Sequence, residues 1–277
     1  MKLFKKIAIV GVGLIGGSLG LAIKKKKLAG QVVGFFRHKN KISQAIKLKA
    51  VDAGTNDFAL AVQDSDFIIL CSPVSDIVRR LKELKKAKTT ALITDIGSTK
   101  SEITKASRGL NFIGSHPLAG SEKNGIAFAK ADLFKNSLCV LTPGKNPSAY
   151  SLEKVNRFWR LLGAKTVVLS PDKHDRILSF ASHLPHVAAF ALMNTVPKEM
   201  LPFAAGGLRD TTRIASSDPK IWNDILLSNN KHLLETIEAF QVSLHKIKIA
   251  LLKKDAKKLN KLLTQAQRKR SEIKQKP

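Results

Sequence analysis

The sequence has few of the residues that build disulfide frameworks, thiolate metal sites or aromatic stacking platforms. Its 277 residues include two cysteines, two tryptophans and one tyrosine. Two thiols cannot supply a four-thiolate zinc site or a framework of several disulfides, and so few cysteines are typical of a reducing cytoplasm. The sequence also lacks uninterrupted apolar runs of about 20 residues, the length that spans a bilayer. We therefore expect a cytoplasmic protein with no metal site and no membrane partner.

Acidic residues are scarce relative to basic ones. The chain has 48 Lys and Arg against 21 Asp and Glu, a formal net charge of +27. Such a balance favours anionic partners, nucleic acid among them. Most of the cations, however, are lysines scattered over predicted helix surfaces, as in residues 24–27 and 82–88. Proteins that bind single strands usually interleave aromatic stacking residues, so we expect a solvated basic surface and no nucleic-acid partner.

Strand and helix patterns alternate through the first 170 residues. Predicted strands cover residues 6–10, 31–35, 66–70, 91–94, 112–113, 138–141 and 166–169, with amphipathic stretches between most of them. This alternation predicts βαβ units and a parallel sheet. After Ser170-Pro171 the pattern is helical only, over residues 172–194 and from Trp222 onward. The predicted fold class is α/β: a Rossmann-type parallel-sheet domain, residues 1–169, followed by an all-helical domain, residues 170–277.

A glycine-rich turn follows the first predicted strand. Residues 11–16 read Gly-Val-Gly-Leu-Ile-Gly and precede a helical pattern. The first glycine permits a tight turn, the second lets backbone approach a pyrophosphate, and the third lets the helix pack on the strand. The helix N-terminus then offers free N–H groups to the phosphates. The predicted cofactor-binding residues are Gly11, Gly13, Leu14, Ile15, Gly16, Arg37 and Ser72.

The end of the second predicted strand suggests which dinucleotide binds. An NAD site usually has Asp or Glu about 20 residues after the glycine turn. This chain instead has Arg37, His38 and Lys39 there. Cationic side chains can hold a 2′-phosphate, so the cofactor is predicted to be NADP or NAD, with a lean towards NADP; in a lysine-rich chain, local basicity also arises without function.

Three further segments carry side chains suited to catalysis. Ser98 follows the strand at 91–94, and His116 follows the strand at 112–113. Ligands bind beyond the carboxyl ends of parallel strands, and a histidine there suits a general base near neutral pH. A third segment, residues 182–186, contains two histidines. Taken singly, Ser98 also fits a helix N-cap, and a helical histidine is more often a packing residue than a catalytic one.

Taken together, these motifs resemble the prephenate/arogenate dehydrogenase family of tyrosine biosynthesis. The resemblance runs from Gly11 to about Trp222. It rests on the glycine turn, Asp95-x-Gly97-Ser98-x-Lys100, His116-Pro117-x-Ala119-Gly120-x-Glu122, Ser182-His183-x-x-His186, and Asp210-x-x-Arg213 followed by Asp218-Pro219 and Trp222. This chain departs from the family pattern in one respect: it lacks the Asp or Glu expected at the end of the second predicted strand.

The resemblance implies a Rossmann domain and a helical domain that forms a homodimer. It implies NAD(P)-dependent oxidative decarboxylation of prephenate to 4-hydroxyphenylpyruvate, or of arogenate to tyrosine. His116 matches the catalytic histidine that binds the substrate's ring hydroxyl, and Ser98 matches the serine that supports it. The predicted substrate-binding residues are Arg213, which would hold a carboxylate, together with His186, Ser182 and the gating residue Glu122.

The residue types suit this chemistry. A neutral histidine can accept the hydroxyl proton while a hydride leaves the ring, and an arginine fork can bind a carboxylate through two hydrogen bonds. Two alternatives compete with this interpretation. One is another two-domain NAD(P)-dependent hydroxy-acid dehydrogenase; the other is a non-catalytic nucleotide- or RNA-binding module, which would leave Ser98, His116 and Arg213 without a shared purpose.

Overall fold

A computed structural model describes residues 2–119, 125–145 and 147–273. The chain forms two compact units, Met1–Asn230 and Lys231–Pro277. The first unit contains a single eight-stranded sheet with helices packed against it. Its strands are β1 (Phe4–Val10), β2 (Ala29–Phe35), β3 (Ala53–Thr55), β4 (Phe67–Leu70), β5 (Leu92–Asp95), β6 (Phe112–Pro117), β7 (Leu138–Pro143) and β8 (Lys165–Val168).

The strand order across the sheet is β3-β2-β1-β4-β5-β6-β7-β8. The first six strands are mutually parallel, whereas β7 pairs antiparallel with β6 and parallel with β8. Along β1, Ile7 and Ile9 enter the hydrophobic core on one face, and Ala8 and Val10 enter the core on the other. Burial on both faces explains why the strands read as continuous apolar runs in the sequence.

Helices occupy most connections between the strands and most of the described region after β8. They are α1 (Leu14–Lys25), α2 (Ile42–Lys47), α3 (Phe58–Val62), α4 (Val74–Lys86), α5 (Ser101–Ala106), α6 (Ala149–Leu161), α7 (Pro171–Leu178), α8 (Leu184–Thr195), α9 (Gly206–Thr212), α10 (Pro219–Ser228), α11 (Asn230–Leu252) and α12 (Ala256–Ser271). The α/β fold class, with a Rossmann-like sheet domain followed by helices, is confirmed. The boundary at residues 169 and 170 stays a prediction.

The structure differs from the sequence pattern in several elements. Strand β3 has only three residues and no apolar run, so it left no signal. The sheet is not wholly parallel, because β7 pairs antiparallel with β6; the described residues between these two strands include a 3-10 turn, Ile126–Phe128. The predicted helix 172–194 contains a π-helical turn, Ser179–His183, between α7 and α8, and such turns are frequent at functional sites.

The predicted helix from Trp222 onward is three helices. α10 ends at Ser228, and its C-cap residue, Asn229, donates a hydrogen bond from its buried side-chain amide to the Asp175 carbonyl oxygen at 2.8 Å. In the second unit, Lys254 adopts a left-handed conformation with φ of 50°, and Asp255 then caps α12 through the backbone N–H of Lys258 at 2.9 Å. These local interactions end each helix where apolar periodicity alone predicts continuation.

One helical segment is as long and as apolar as a membrane-spanning helix. By length and composition alone, Pro171–Thr195 could cross a membrane, and 22% of its most apolar window is buried within the chain. The same segment carries His174, Asp175 and His183, which are all buried.

Candidate active site

The glycine turn has the geometry expected of a phosphate-binding loop. Gly11 has a φ of +97°, a region that side chains disfavour, and a Cβ there would lie 2.9 Å from the Cys71 carbonyl oxygen. A Cβ at Gly16 would lie 2.1 Å from the Gly11 carbonyl oxygen. At Gly13, by contrast, a Cβ would meet nothing within 4 Å. Gly11 and Gly16 are therefore required by the fold, whereas Gly13 faces open space at the N-terminus of α1.

Two cavities meet at this turn. The central cavity, about 460 Å³, is bordered by the turn, the ends of β4, β5 and β6, and α10. The outer cavity, about 340 Å³, lies beyond the end of β2. Both are lined by Gly13, Cys71, Ser72 and Pro73. A dinucleotide with its pyrophosphate at Gly13 would thus have one cavity for each of its nucleoside ends.

The central cavity brings together residues from three separate segments of the sheet domain. Its lining includes Leu14 and Ile15 at the start of α1, Ser98 beyond β5 and His116 in β6. Ser98 does not cap a helix: α5 begins at Ser101, and its N-cap position is Lys100. The N-cap alternative for Ser98 is therefore wrong. Ser98 instead lines the central cavity.

A buried ion pair lies behind His116. Lys100 and Asp95 are fully buried and form an ion pair through Nζ and Oδ2. Lys100 Nζ also donates to the Ser115 carbonyl oxygen at 2.9 Å, and Asp95 accepts from the backbone N–H groups of Gly97 and Ser115 at 2.7 and 3.2 Å. Because each charge has a partner and further hydrogen bonds, the pair fixes the backbone on either side of the cavity.

His116 is the end of a chain of three hydrogen-bonded side chains. Its Nδ1 lies 2.9 Å from His174 Nε2, and His174 Nδ1 lies 2.8 Å from Asp175 Oδ1. The Asp175 carboxylate also accepts from the backbone N–H groups of Lys100 and Ser101, at 2.7 and 2.8 Å. The sequence analysis missed His174 and Asp175; the only signal was a His-Asp pair at the start of a helix, a common pattern without function.

The environment keeps the histidines of this cluster neutral. Burial lowers the pKa of His116 well below its usual value, and the charges of His174, Lys100 and His183 lower it further. Burial also lowers the pKa of His174. Burial alone would raise the pKa of Asp175, but hydrogen bonds from His174 and Ser101 hold it below its ordinary value. The result is two neutral imidazoles beside an ionised carboxylate.

A second histidine pair lies at the helical side of the cavity. The ring of His186 stacks on Trp222, with centroids 3.4 Å apart and planes 20° from parallel, and Trp222 lines the central cavity. His186 Nδ1 is 3.0 Å from the Ser182 carbonyl oxygen. Buried His183 lies edge-on to Trp222 and 3.0 Å from Asn229 Nδ2.

Arg213 is placed near this pair but not in the cavity wall. It begins a 3-10 turn, Arg213–Ser216, and its side chain is exposed. Its charge reaches His186, where it contributes to lowering the pKa after the larger effect of burial. The predicted gating residue Glu122 lies outside the described residues.

The outer cavity contains the cationic segment that follows β2. Its lining includes Arg37, His38 and Lys41 from this segment, and Asp76 and Arg80 from α4. The Arg80 guanidinium stacks 4.5 Å from the Phe35 ring centroid, so it serves as part of the wall. Within the described ranges, no group of three or more His, Cys, Asp or Glu residues could hold a metal ion.

Family models match both parts of the chain. Residues 19–168 match "Prephenate dehydrogenase, nucleotide-binding domain", and residues 170–265 match "Prephenate dehydrogenase, dimerization domain". The chain is 35% identical to the prephenate dehydrogenase of Bacillus subtilis strain 168 over 266 residues, covering 91% of this chain and 72% of the relative. It is 32% identical to the cyclohexadienyl dehydrogenase of Zymomonas mobilis over 286 residues, covering 99% and 98%.

A solved structure shows the same fold over nearly the full length. The prephenate dehydrogenase of Aquifex aeolicus, in complex with hydroxyphenyl propionate and NAD+, superposes with a TM-score of 0.90 at 33% identity. The superposition covers 98% of each chain.

Proposed function

The chain belongs to the prephenate dehydrogenase family, and from that premise we propose that His116 is the general base of an NAD(P)-dependent oxidative decarboxylation of prephenate or arogenate. The family assignment makes the protein an oxidoreductase of tyrosine biosynthesis. It also sets aside the hydroxy-acid dehydrogenase and the nucleotide-binding module as alternatives. The role of each side chain is the part that is proposed.

The residues around the turn fit a dinucleotide. Gly13 leaves open space at a helix N-terminus, and the two cavities on either side share that glycine. When bound, the nicotinamide supplies the hydride acceptor for the ring carbon. The chain holds the pyrophosphate at Gly11–Gly16 and the nucleosides in the central and outer cavities.

Proton transfer is assigned to His116 Nε2. Its Nδ1 is engaged by His174, so Nε2 is the nitrogen left for a ligand in the central cavity. As the hydride leaves the ring carbon, the hydroxyl proton passes to this nitrogen and the oxygen becomes a carbonyl. The ring carboxylate then leaves as CO2, its bonding electrons complete the aromatic ring, and the oxygen regains a proton. Ser98 supports the same oxygen by hydrogen bonding.

The single observation that carries this proposal is the position of a neutral histidine. His116 borders a cavity shared with the glycine turn, and burial together with nearby cations keeps its ring unprotonated near neutral pH. A general base must be unprotonated at its working pH and within reach of the proton it removes.

Substrate binding is assigned to the helical wall of the cavity. We propose that Arg213 holds a carboxylate and that His186 and Ser182 form the surface against which the substrate side chain packs. The stacking of His186 on Trp222 and the charge of Arg213 near His186 support this assignment. Glu122 is proposed as a gating residue.

For the cofactor we propose a preference for NADP over NAD. The outer cavity has Arg37, His38 and Lys41 where an NAD site would have a carboxylate at the end of β2. Asp76, which also lines this cavity, forms ion pairs with Arg79 and Arg80 on its own helix α4, so its charge is balanced there.

A steady-state assay that crosses prephenate and arogenate with NAD and NADP tests this function. Replacing His116 by Asn keeps a polar, hydrogen-bonding side chain, although a smaller one, without a basic nitrogen, so we expect kcat to fall about 100- to 10,000-fold with little change in KM for the cofactor. Unchanged turnover in His116→Asn would exclude it as the base. No turnover of either substrate by the unmodified protein would exclude the reaction.

The helical region is proposed to form a homodimer. Its match to a dimerisation domain agrees with large apolar side chains that are exposed in the single chain. In the first unit these include Phe180, Met200 and Phe203, which is 82% exposed. A second copy would cover such a surface better than a bilayer, since Pro171–Thr195 also carries buried His174 and Asp175.

We propose a cytoplasmic location, with neither membrane nor nucleic acid as a partner.

A further inference from the structure

We propose that His174 and Asp175 are positioning residues that select the tautomer of His116 and so decide which of its nitrogens accepts the substrate proton. This inference rests on the proposed role of His116 as base. It concerns two side chains that would lie outside substrate contact and act only through the catalytic ring.

The hydrogen-bond donors can be assigned from the carboxylate outward. Asp175 Oδ1 and Oδ2 accept from the backbone N–H groups of Lys100 and Ser101. Hydrogen bonds hold the Asp175 pKa below its ordinary value, so near neutral pH the carboxylate is ionised and can only accept. His174 Nδ1, 2.8 Å from Oδ1, must therefore carry a hydrogen. In a neutral ring that leaves a lone pair on His174 Nε2.

The same logic extends one step further to the catalytic ring. His174 Nε2 accepts from His116 Nδ1 across 2.9 Å, so His116 carries its hydrogen on Nδ1. Its Nε2 then has the lone pair that a base needs. With the opposite tautomer, Nε2 would hold a hydrogen and could not accept the substrate proton, however well the ring was placed.

The chain of side chains also has a rigid support. Asp175 lies in the first turns of α7 and is fixed to the start of α5 by its two backbone bonds. Asn229 at the end of α10 donates to the Asp175 carbonyl oxygen at 2.8 Å. His116 lies on β6, so its tautomer depends on α7 and α10 being packed against the carboxyl end of the sheet.

Other charged groups near His116 do not explain the arrangement. Lys100 Nζ is directed at Asp95 and the Ser115 carbonyl oxygen, and His183 is 3.0 Å from Asn229. The charge of Lys100 disfavours protonation of His116, but among the described residues neither Lys100 nor His183 forms a hydrogen bond with the His116 ring. Among the described hydrogen bonds, the contact that discriminates Nδ1 from Nε2 is the one with His174.

The test compares two substitutions at residue 174. His174→Phe keeps the ring volume but removes the acceptor, so we expect kcat to fall about 100-fold while KM for the substrate stays near its original value. His174→Gln offers an amide oxygen to His116 Nδ1 and should recover part of the lost kcat. Lys173→Ala, at an exposed neighbour on α7, is the matched control and should leave kcat unchanged.

The tautomer itself is read by NMR of 15N-labelled histidine in the complete protein with the cofactor bound. We expect the His116 signals of the unmodified protein to show hydrogen on Nδ1, and those of His174→Phe to shift to Nε2. Cofactor affinity and thermal melting confirm that each variant is folded; should His174→Phe not fold, His174→Leu, which also lacks an acceptor for His116 Nδ1, gives the same comparison.

The outcomes separate this inference from the proposed function. Normal kcat and an unchanged Nδ1–H signal in the folded His174→Phe variant would overturn the positioning role and leave His116 as base. Full activity in His116→Asn would overturn the base assignment, and the NMR measurement would still report whether His174 selects the tautomer.

Discussion

Lys100 illustrates how a single side chain can be hidden from sequence interpretation. Lysine is almost never fully buried without a partner, and in a chain with 48 basic residues one more lysine carries no signal. The fold buries it beside Asp95, under the strand that carries His116. The resemblance includes Lys100 as a motif residue, but only the structure gives it a physical task, which is to fix the backbone and keep His116 neutral.

Arg213 provides a prediction at the scale of one residue. If its guanidinium binds a substrate carboxylate, Arg213→Ala removes a charge-assisted pair of about 1.5–3 kcal/mol, which raises the substrate KM roughly 10- to 100-fold. Turnover at saturation should change far less. Arg213→Lys should lie between the two, because it keeps the charge but loses the fork.

The matched control is Arg209, which is exposed one turn earlier, in α9. Steady-state kinetics are measured for its alanine variant alongside the Arg213 variants. Arg209→Ala should leave KM unchanged. An equal rise in KM for Arg209→Ala would mean that general positive charge, and no specific carboxylate contact, attracts the substrate.

The elements around the turn show why glycine spacing was informative. A strand, a glycine turn and a helix must be close-packed to bring a helix N-terminus to a phosphate. Gly16 packs against the Gly11 carbonyl oxygen, where a side chain would not fit. At Gly17, an added Cβ would lie 2.8 Å from the Ile126 side chain. Such local geometry is encoded in adjacent residues, so it could be predicted.

Two alanine substitutions in this element should behave oppositely. Gly13→Ala places a methyl in open space, so thermal stability should stay close to that of the unmodified protein, while cofactor affinity falls about 10-fold or more because the methyl occupies the pyrophosphate's approach. Gly16→Ala forces backbone apart at 2.1 Å and should lower the melting temperature by several degrees.

Differential scanning fluorimetry and cofactor fluorescence titration measure these two effects separately. Loss of stability in Gly13→Ala with unchanged affinity would mean that Gly13 serves the fold and does not face the cofactor.

At the scale of the whole molecule, the buried histidines make stability depend on pH. Burial lowers the pKa of His183 to about 4 from 6.5, and the pKa values of His116 and His174 are also lowered. The unfolded chain binds these protons more readily than the folded protein does. Stability is therefore fully present above pH 6.5 and is lost as pH falls towards 4.

His183 alone accounts for roughly 3 kcal/mol of that loss, at about 1.4 kcal/mol per pKa unit. Urea unfolding between pH 7.5 and 5 should show the decline, and His183→Gln should reduce its slope. An equal slope in the Gln variant would assign the decline to other groups, such as repulsion among the chain's many cations.

The sequence by itself determined the alternation of strands and helices, the phosphate-binding turn, and the motif residues Ser98 and His116 at strand ends. These features depend on periodicity or on neighbouring residues. It also determined the family, because several motifs occur together in one order. The tertiary structure alone revealed that His174 and Asp175 join the site.

The physical reason is separation along the chain. The His116–His174 contact joins residues 58 positions apart, and the Asp175–Lys100 contact spans 75. Hydrophobic patterning cannot specify such pairs, because the sequence around a buried polar side chain does not show which distant residue it will hydrogen-bond. The contacts of Asp175 on α7 with the start of α5, and of Asn229 after α10 with Asp175, decided which of these polar groups meet.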